Sequence, residues 1–247
     1  MSAIFVGNDV VDLLDPRTEG RSSDDRFVAR VFDAEEQAVI RGATDPDLEL
    51  WAHWAAKEAG FKVISKLIGA PPPFAHRTFE VRWTGDAAVA ADTEEDVVRR
   101  GLVTHAGHTA SVSVLHRPGS VHAIAFGPGT EASRDPALLP RLALLDAPHS
   151  RWAASLEDLR ARFTPRELDA VYSRQSAAVR LGARGDLARA LSVEEQRLEI
   201  VCDPGPTSQR PPRVLLDGRR AAADVSLSHD GRWIAWLLWI DNELEEG

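Results

Sequence analysis

The feature that most constrains the fold is an internal echo. Val31-Phe-Asp-Ala-Glu-Glu36 returns as Arg162-Phe-Thr-Pro-Arg-Glu167, and each copy stands ahead of a long helical stretch and then of strand-like segments. The clearest strand pair closes the series. Val225-Ser-Leu-Ser-His229 runs through Asp230-Gly231 into Arg232-Trp-Ile-Ala-Trp-Leu-Leu-Trp239, a strand, an Asp-Gly turn and a strand. A worn copy stands earlier, at Val112–His116 and Val121–Ala125. Two units of roughly 100–130 residues follow, near the usual domain size. The expected fold is α+β: a pseudo-twofold duplication of two units, each an antiparallel sheet packed on a long helix. The first unit covers 1–127 and the second 150–247. The turn-rich stretch Gly127-Pro-Gly-Thr-Glu-Ala-Ser-Arg-Asp-Pro136 opens a linker over 128–149. A cleft between two such units is the natural place for a site.

Within the first unit, a strand at Ala3–Val6 enters Gly7-Asn-Asp9-Val-Val-Asp12. A helical segment is predicted around Asp25–Ile40, and a long helix over Asp47–Leu67, stopped by Gly69 and Pro71–Pro73. Strands are expected at Thr78–Trp83, Gly101–His105, His108–Leu115 and Val121–Phe126. In the second unit the pattern predicts a helix at Gln175–Leu191 and strands at Arg197–Cys202 and Arg213–Leu216.

The long helix carries all three lysines of the chain, Lys57, Lys62 and Lys66. A GC-rich coding bias accounts for their scarcity but not for their clustering. Lysine is a compact point charge on a flexible stem, whereas arginine is planar and always charged. Glu58, Lys62 and Lys66 fall four residues apart and share a helix face. That face reads either as a solvated ion-pair row or as a carboxylate and two ammonium groups facing a metal ion and an anionic substrate.

The net charge of −9 argues against general nucleic-acid binding, which needs a dense cationic surface. Any anionic partner must therefore dock on a local basic patch. No apolar run reaches membrane-span length, and the start lacks the pattern of a signal peptide. The single cysteine, Cys202, has no partner for an internal disulfide. A cytoplasmic protein without a membrane or nucleic-acid partner is the expectation.

Gly7-Asn-Asp9-Val-Val-Asp12 followed by Trp54-Ala-Ala-Lys57-Glu58-Ala-Gly-Phe61-Lys62 resembles the signature pair of the 4′-phosphopantetheinyl transferase superfamily. That pair is a G-x-D strand end and, some 40–50 residues on, a W-x-x-K-E-A-x-x-K helix. Arg30-Val-Phe-Asp-Ala-Glu-Glu36 resembles the family's R-x-F-x-x-x-E stretch. The second unit resembles the other half of the surfactin-type members. It carries Arg180-Leu-Gly-Ala-Arg184-Gly-Asp-Leu-Ala-Arg189, Gln209-Arg210-Pro211 where they have G-K-P, and Ser226-Leu-Ser228-His229-Asp-Gly-Arg232-Trp. Three departures stand out. The halves are swapped, as a circular permutation would leave them. Val11 stands where those members have a second acid, and Asp12 follows it. Gln209-Arg210 replaces the G-K pair.

The resemblance implies Mg²⁺-dependent transfer of 4′-phosphopantetheine from coenzyme A to a serine of an apo-acyl or peptidyl carrier protein, by a monomer. Under it, Asp9, Glu58 and Asp12 are the expected metal ligands. Glu58 and Lys62 are the expected catalytic residues, with Glu58, or a metal-bound water that it orients, taking the serine proton. Lys57, Lys62, Arg174, Arg180, Arg184, Arg210, Ser228 and His229 are the expected coenzyme A contacts. Two readings stand for Lys57, a phosphate contact or a solvent-facing side chain, while Lys66 reads as solvated. The rivals are a non-catalytic binder of coenzyme A or carrier, and a metal-dependent phosphohydrolase. The permutation carries its own expectation: the strand ending near Ile240 finishes close to Ala3.

Overall fold

The structure, a computed structural model, describes residues 4–73, 75–87, 97–127, 138–145, 152, 154–205 and 210–240. Most of the expected linker, Ala3 and Gln209 lie outside the described residues. The molecule is α+β with antiparallel sheets.

In the first half, β1 (Phe5–Asp12) is followed by α1 (Asp25–Val31), α2 (Ala34–Gly42) and α3 (Pro46–Ile68). Then come β2 (Glu80–Ala87), β3 (Val97–His105), β4 (His108–Arg117) and β5 (Ser120–Gly127). The five strands form one sheet in the order β1-β5-β4-β3-β2. The predicted helix around Asp25–Ile40 is two helices, because Asp33 starts a new one. Its carboxylate accepts from Glu36 N and Glu36 accepts from Asp33 N, a reciprocal cap that ends α1 and opens α2. Asp45 caps α3 through Leu48 N, Pro46 supplies its first turn, and left-handed Gly69 ends it.

The buried face of α3 is lined by Ala52, Ala55, Ala56, Ala59 and Gly60, small enough to let the helix lie close on the sheet. Gly7 meets it from β1, and a Cβ there would collide with the carbonyl oxygen of Ala59. The glycine of the G-x-D motif is thus a packing requirement. It brings β1, and with it Asp9, against the turn of α3 that bears Glu58 and Lys62.

In the second half, β6 (Leu138–Leu144) leads to α4 (Leu156–Arg160) and α5 (Arg174–Ala190). β7 (Leu198–Val201), β8 (Arg213–Leu216), β9 (Arg219–Arg220), β10 (Ala223–Asp230) and β11 (Trp233–Ile240) follow. Two expectations need correcting. Residues 138–144, assigned to the linker, form a strand that pairs along β11 from Leu144↔Trp233 to Leu138↔Trp239. Among the described residues the half also carries two three-stranded sheets, β10-β11-β6 and β7-β8-β9, rather than one. Both sheets contribute to the core around α5, with Ala177, Leu181, Val214, Val225, Ile234 and Trp236 among its members.

The halves meet where β1 runs beside β10. Backbone groups at Val6, Asn8, Val10 and Asp12 point away from β5, yet no ladder joins β1 to β10. Side chains take its place. Val6 N donates to Asp224, Asn8 N to Ser226 Oγ, Val10 N to Ser228 Oγ and Asp12 N to Asp230, each 218 residues on. The constant offset makes the two strands parallel. Ile240 pairs with Ala223 at the end of β11, so that end lies beside the start of β1.

Candidate active site

Asp9 leaves β1 toward this junction. Its carboxylate accepts from Ser228 Oγ at 2.8 Å and pairs with Lys62 Nζ at 3.2 Å. Burial pushes the Asp9 carboxyl up from 3.8 to about 6; Lys62 pulls against that, and the charge of Glu58 adds to it. Glu58, one turn before Lys62 on α3, shares a cavity of about 500 Å³ with Asp9, Trp54, His229 and Asp230. His229 comes from the end of β10. Burial, then Lys62 and Arg180, lower it below the ordinary histidine range, so it is a neutral ring at pH 7.

Lys62 stands at the join of the two halves. Its ammonium donates to Asn8 O at 2.6 Å, Asp9 Oδ1 at 3.2 Å and Leu227 O at 3.3 Å. On its other side lies a second cavity, of about 450 Å³, lined by Lys62, Lys66, Arg180, Cys202, Arg210 and Pro211 among others. Arg180 is the notable cation there. It is 8% exposed, donates to Ser176 O at 3.1 Å and sits 3.8 Å from Cys202 Sγ. No carboxylate among the described residues pairs with it.

A model of the 4′-phosphopantetheinyl transferase superfamily matches residues 5–115, from β1 into β4. That domain is a member of the superfamily. No curated protein matches the chain. Members of the superfamily transfer 4′-phosphopantetheine, acting on coenzyme A and carrier proteins. The matched part of the chain holds Asp9, Glu58 and Lys62. His229, Arg180 and Arg210 lie beyond the match.

The superfamily's usual metal is Mg²⁺, and the donor set at this site suits such a hard cation. Asp9 and Glu58 offer oxygen alone, and Mg²⁺ commonly takes one or two carboxylates and fills its shell with water and phosphate oxygens. A cation between them would offset the repulsion that helps raise Asp9. Among the described residues, no group of three or more His, Cys, Asp or Glu side chains is arranged to hold a metal.

Asp12, the expected third ligand, is elsewhere engaged. It takes a two-pronged bond from Arg232 Nε and Nη2, at 2.9 and 2.7 Å, and accepts from Arg232 N. The Arg232 hydrogen bond holds its carboxyl below the usual carboxylate range. It clamps the Asp230-Gly231 turn, where a Cβ on Gly231 would strike it.

Three further expectations are corrected. Lys57 faces neither solvent nor either of the two cavities. It is fully buried and donates to both oxygens of Glu36, to Phe79 O and to His76 O. Lys66 is not solvated, because its ammonium pairs with Asp224 at 2.8 Å and bridges Val6 O and Val225 O. Arg184 turns away from the cavity that Arg180 lines, toward Glu167, Glu195 and Arg162 O. Arg174, the first residue of α5, lines neither cavity. Ser228 is bound to Asp9 and to Val10 N, which makes it a support for the acid. Sequence reasoning also missed His76, whose Nε2 lies 3.4 Å from Glu58 Oε1. The only signal was its position just beyond the Pro71–Pro73 stop.

Proposed function

We propose that this chain transfers 4′-phosphopantetheine from coenzyme A to a serine of an apo-acyl or peptidyl carrier protein, releasing 3′,5′-ADP, as a cytoplasmic monomer that requires Mg²⁺. One observation carries the reading. The acids Asp9 and Glu58 and the neutral His229 share a cavity, and Lys62 divides it from a second cavity whose buried Arg180 has no carboxylate partner among the described residues. A buried cation without a counter-charge is costly, and an anionic ligand relieves that cost. The 3′-phosphate of coenzyme A suits Arg180 and Arg210, with the pyrophosphate reaching back toward Lys62.

Mg²⁺, held by Asp9 and Glu58, would neutralise charge on the pyrophosphate. The remaining work belongs to the side chains. Lys62 offers a phosphate oxygen the N–H that now makes its longest bond, to Leu227 O. His229, uncharged, donates one N–H to a phosphate oxygen. Ser228 keeps Asp9 in position, and Glu58 accepts the serine proton as the oxygen attacks in line. Positioning and electrostatic stabilisation supply most of the rate in phosphoryl transfer.

The same reading takes the chain as a surfactin-type duplication in permuted order. In its favour, the end of β11 and the start of β1 lie side by side, as the unpermuted connection requires. Both halves also bury an acid of the F-x-x-x-E motif against a cation from the long helix.

Incubation with Mg²⁺, coenzyme A and several apo-carriers, followed by intact-mass measurement, tests the function. A gain of one phosphopantetheine on a carrier is expected. Coenzyme A binding without that gain would instead favour a non-catalytic binder, the reading that the buried Val11 at the second-acid position supports. Coenzyme A breakdown without carrier would favour a phosphohydrolase.

A further inference from the structure

Glu58 has to present its carboxylate to the cavity in one orientation, and a side chain on a helix surface has several rotamers to choose from. The segment packed over it restricts that choice. After Pro71–Pro73 the chain turns through Ala75 into a 3-10 turn at His76–Thr78. The turn is held by Ala75 N to Pro73 O, Thr78 N to Ala75 O and Phe79 N to His76 O. Lys57 Nζ donates to His76 O at 3.2 Å, which ties the turn to the buried Lys57–Glu36 pair. The imidazole stacks on Trp54, with ring centroids 4.3 Å apart and planes at 28°. Trp54 and Glu58 are one helical turn apart, so a ring lying flat on the first points its edge at the second. That edge is Nε2, 3.4 Å from Glu58 Oε1.

We propose that His76 is a positioning residue for Glu58. The ring is fixed by Trp54 at its face and by Lys57 through its own carbonyl. Its Nε2 faces Oε1 at 3.4 Å, so that a small turn of either side chain makes an Nε2–H donor to that oxygen and holds the carboxylate in one rotamer. Lys57, the buried lysine beside the acid, then serves the site indirectly by anchoring the turn that carries the histidine. The catalytic part of this inference rests on the transfer reaction proposed above, whereas the His76–Glu58 contact does not.

The experiment has two arms. In the first, without any ligand, long-range ¹⁵N spectra of the imidazoles compare the wild-type protein with Glu58→Gln. The proton is expected on Nε2 of His76, and its resonance should move in the variant. An Nε2 that carries no proton, or a resonance indifferent to the substitution, would overturn the proposal. In the second, transfer kinetics compare His76→Phe, which keeps the stack but loses the donor, with His76→Gln, which keeps a donor but loses the ring. His76→Phe should lower kcat about tenfold, as loss of a residue that orients a ligand does, with KM for coenzyme A and Tm unchanged. His76→Gln should stay within about threefold of wild type, as the donor is retained. A normal kcat in His76→Phe, or losses in both variants that follow Tm, would overturn it. If the wild-type protein modifies no carrier, the proposed reaction falls, and the spectra still decide the contact.

Discussion

Glu36 and Glu167 do the same work in opposite halves, by similar means. Each follows a buried phenylalanine by four residues, Phe32 and Phe163. Each accepts from a backbone N–H three residues earlier, at Asp33 and Thr164, and from one on an edge strand, at Val81 and Ile200. Each meets a cation from the long helix that also lies over the phenylalanine ring, at 5.6 Å for Lys57 and 5.3 Å for Arg184. The difference is in the cation. Lys57 sits at 2.7 Å from its acid in a pocket closed to solvent, whereas Arg184 sits at 3.3 Å and spreads to Glu195 and Arg162 O near the surface. A compact ammonium satisfies one sealed point; a planar fork spans several acceptors. The comparison teaches that position on a long helix does not make a cation functional. On α3 and α5 the residues one step or one turn away, Glu58 and Arg180, are the ones facing cavities.

Removing the cations gives the largest effects. Lys57→Met leaves Glu36 charged and sealed, and should cost about 3–5 kcal/mol in urea unfolding. Arg184→Met should cost about half as much, because water reaches the neighbouring Glu195 more readily. Equal losses would break the distinction between a sealed and a spread pair. Lys57→Arg sharpens it further: the larger fork has no room, and overpacking should cost about 2 kcal/mol.

Asp9 should behave in the opposite way. Its folded pKa is raised from 3.8 to about 6, so between those values the native state binds a proton that the unfolded chain has released. The resulting stability is complete below the unfolded value and is lost as pH rises through about 6. Two pKa units correspond to about 3 kcal/mol. In EDTA at pH 7.5, Asp9→Asn should therefore raise stability by up to about 3 kcal/mol while abolishing transfer, and should flatten the stability profile between pH 4 and 6. A destabilised variant with an unchanged profile would remove Asp9 from the strained side of the comparison.

Lys66 gives a smaller effect. Glutamine retains a donor for Asp224 but not the charge, so Lys66→Gln should cost about 2 kcal/mol. A loss indistinguishable from zero would return Lys66 to the solvated role that its helical spacing suggests.

Much of this was legible in the sequence where the signal is local. The Asp-Gly turn at Asp230-Gly231 marks the β10–β11 hairpin, and Asp45 with Gly69 bound α3 to within a residue or two of the expected span. The family resemblance, rather than any spacing, grouped Asp9, Glu58, Lys62 and His229, and all four lie around the β1–β10 junction. What escaped depends on distant partners. Lys57 finds its acid 21 residues away, Lys66 158 away and Asp12 its arginine 220 away. No helical or strand period reports such a pairing. β6 escaped for a related reason: Leu138–Leu144 contains Pro140 and follows a turn-rich stretch, and only its pairing with β11 makes it a strand. His76 has no motif of its own, and its geometry depends on a stack with Trp54.

The central claim is that Glu58, not its buried neighbour Lys57, is the chemical residue of α3. Transfer from coenzyme A to an apo-carrier by Glu58→Gln, followed by intact mass with Mg²⁺ in excess, tests it most directly. Glutamine keeps the volume and removes the charge at a partly exposed position, so Tm should stay within about 2 °C of wild type. The rate should fall by at least about a hundredfold, the size expected for losing a positioned base. A variant with wild-type stability that modifies the carrier at a near-normal rate would contradict the account.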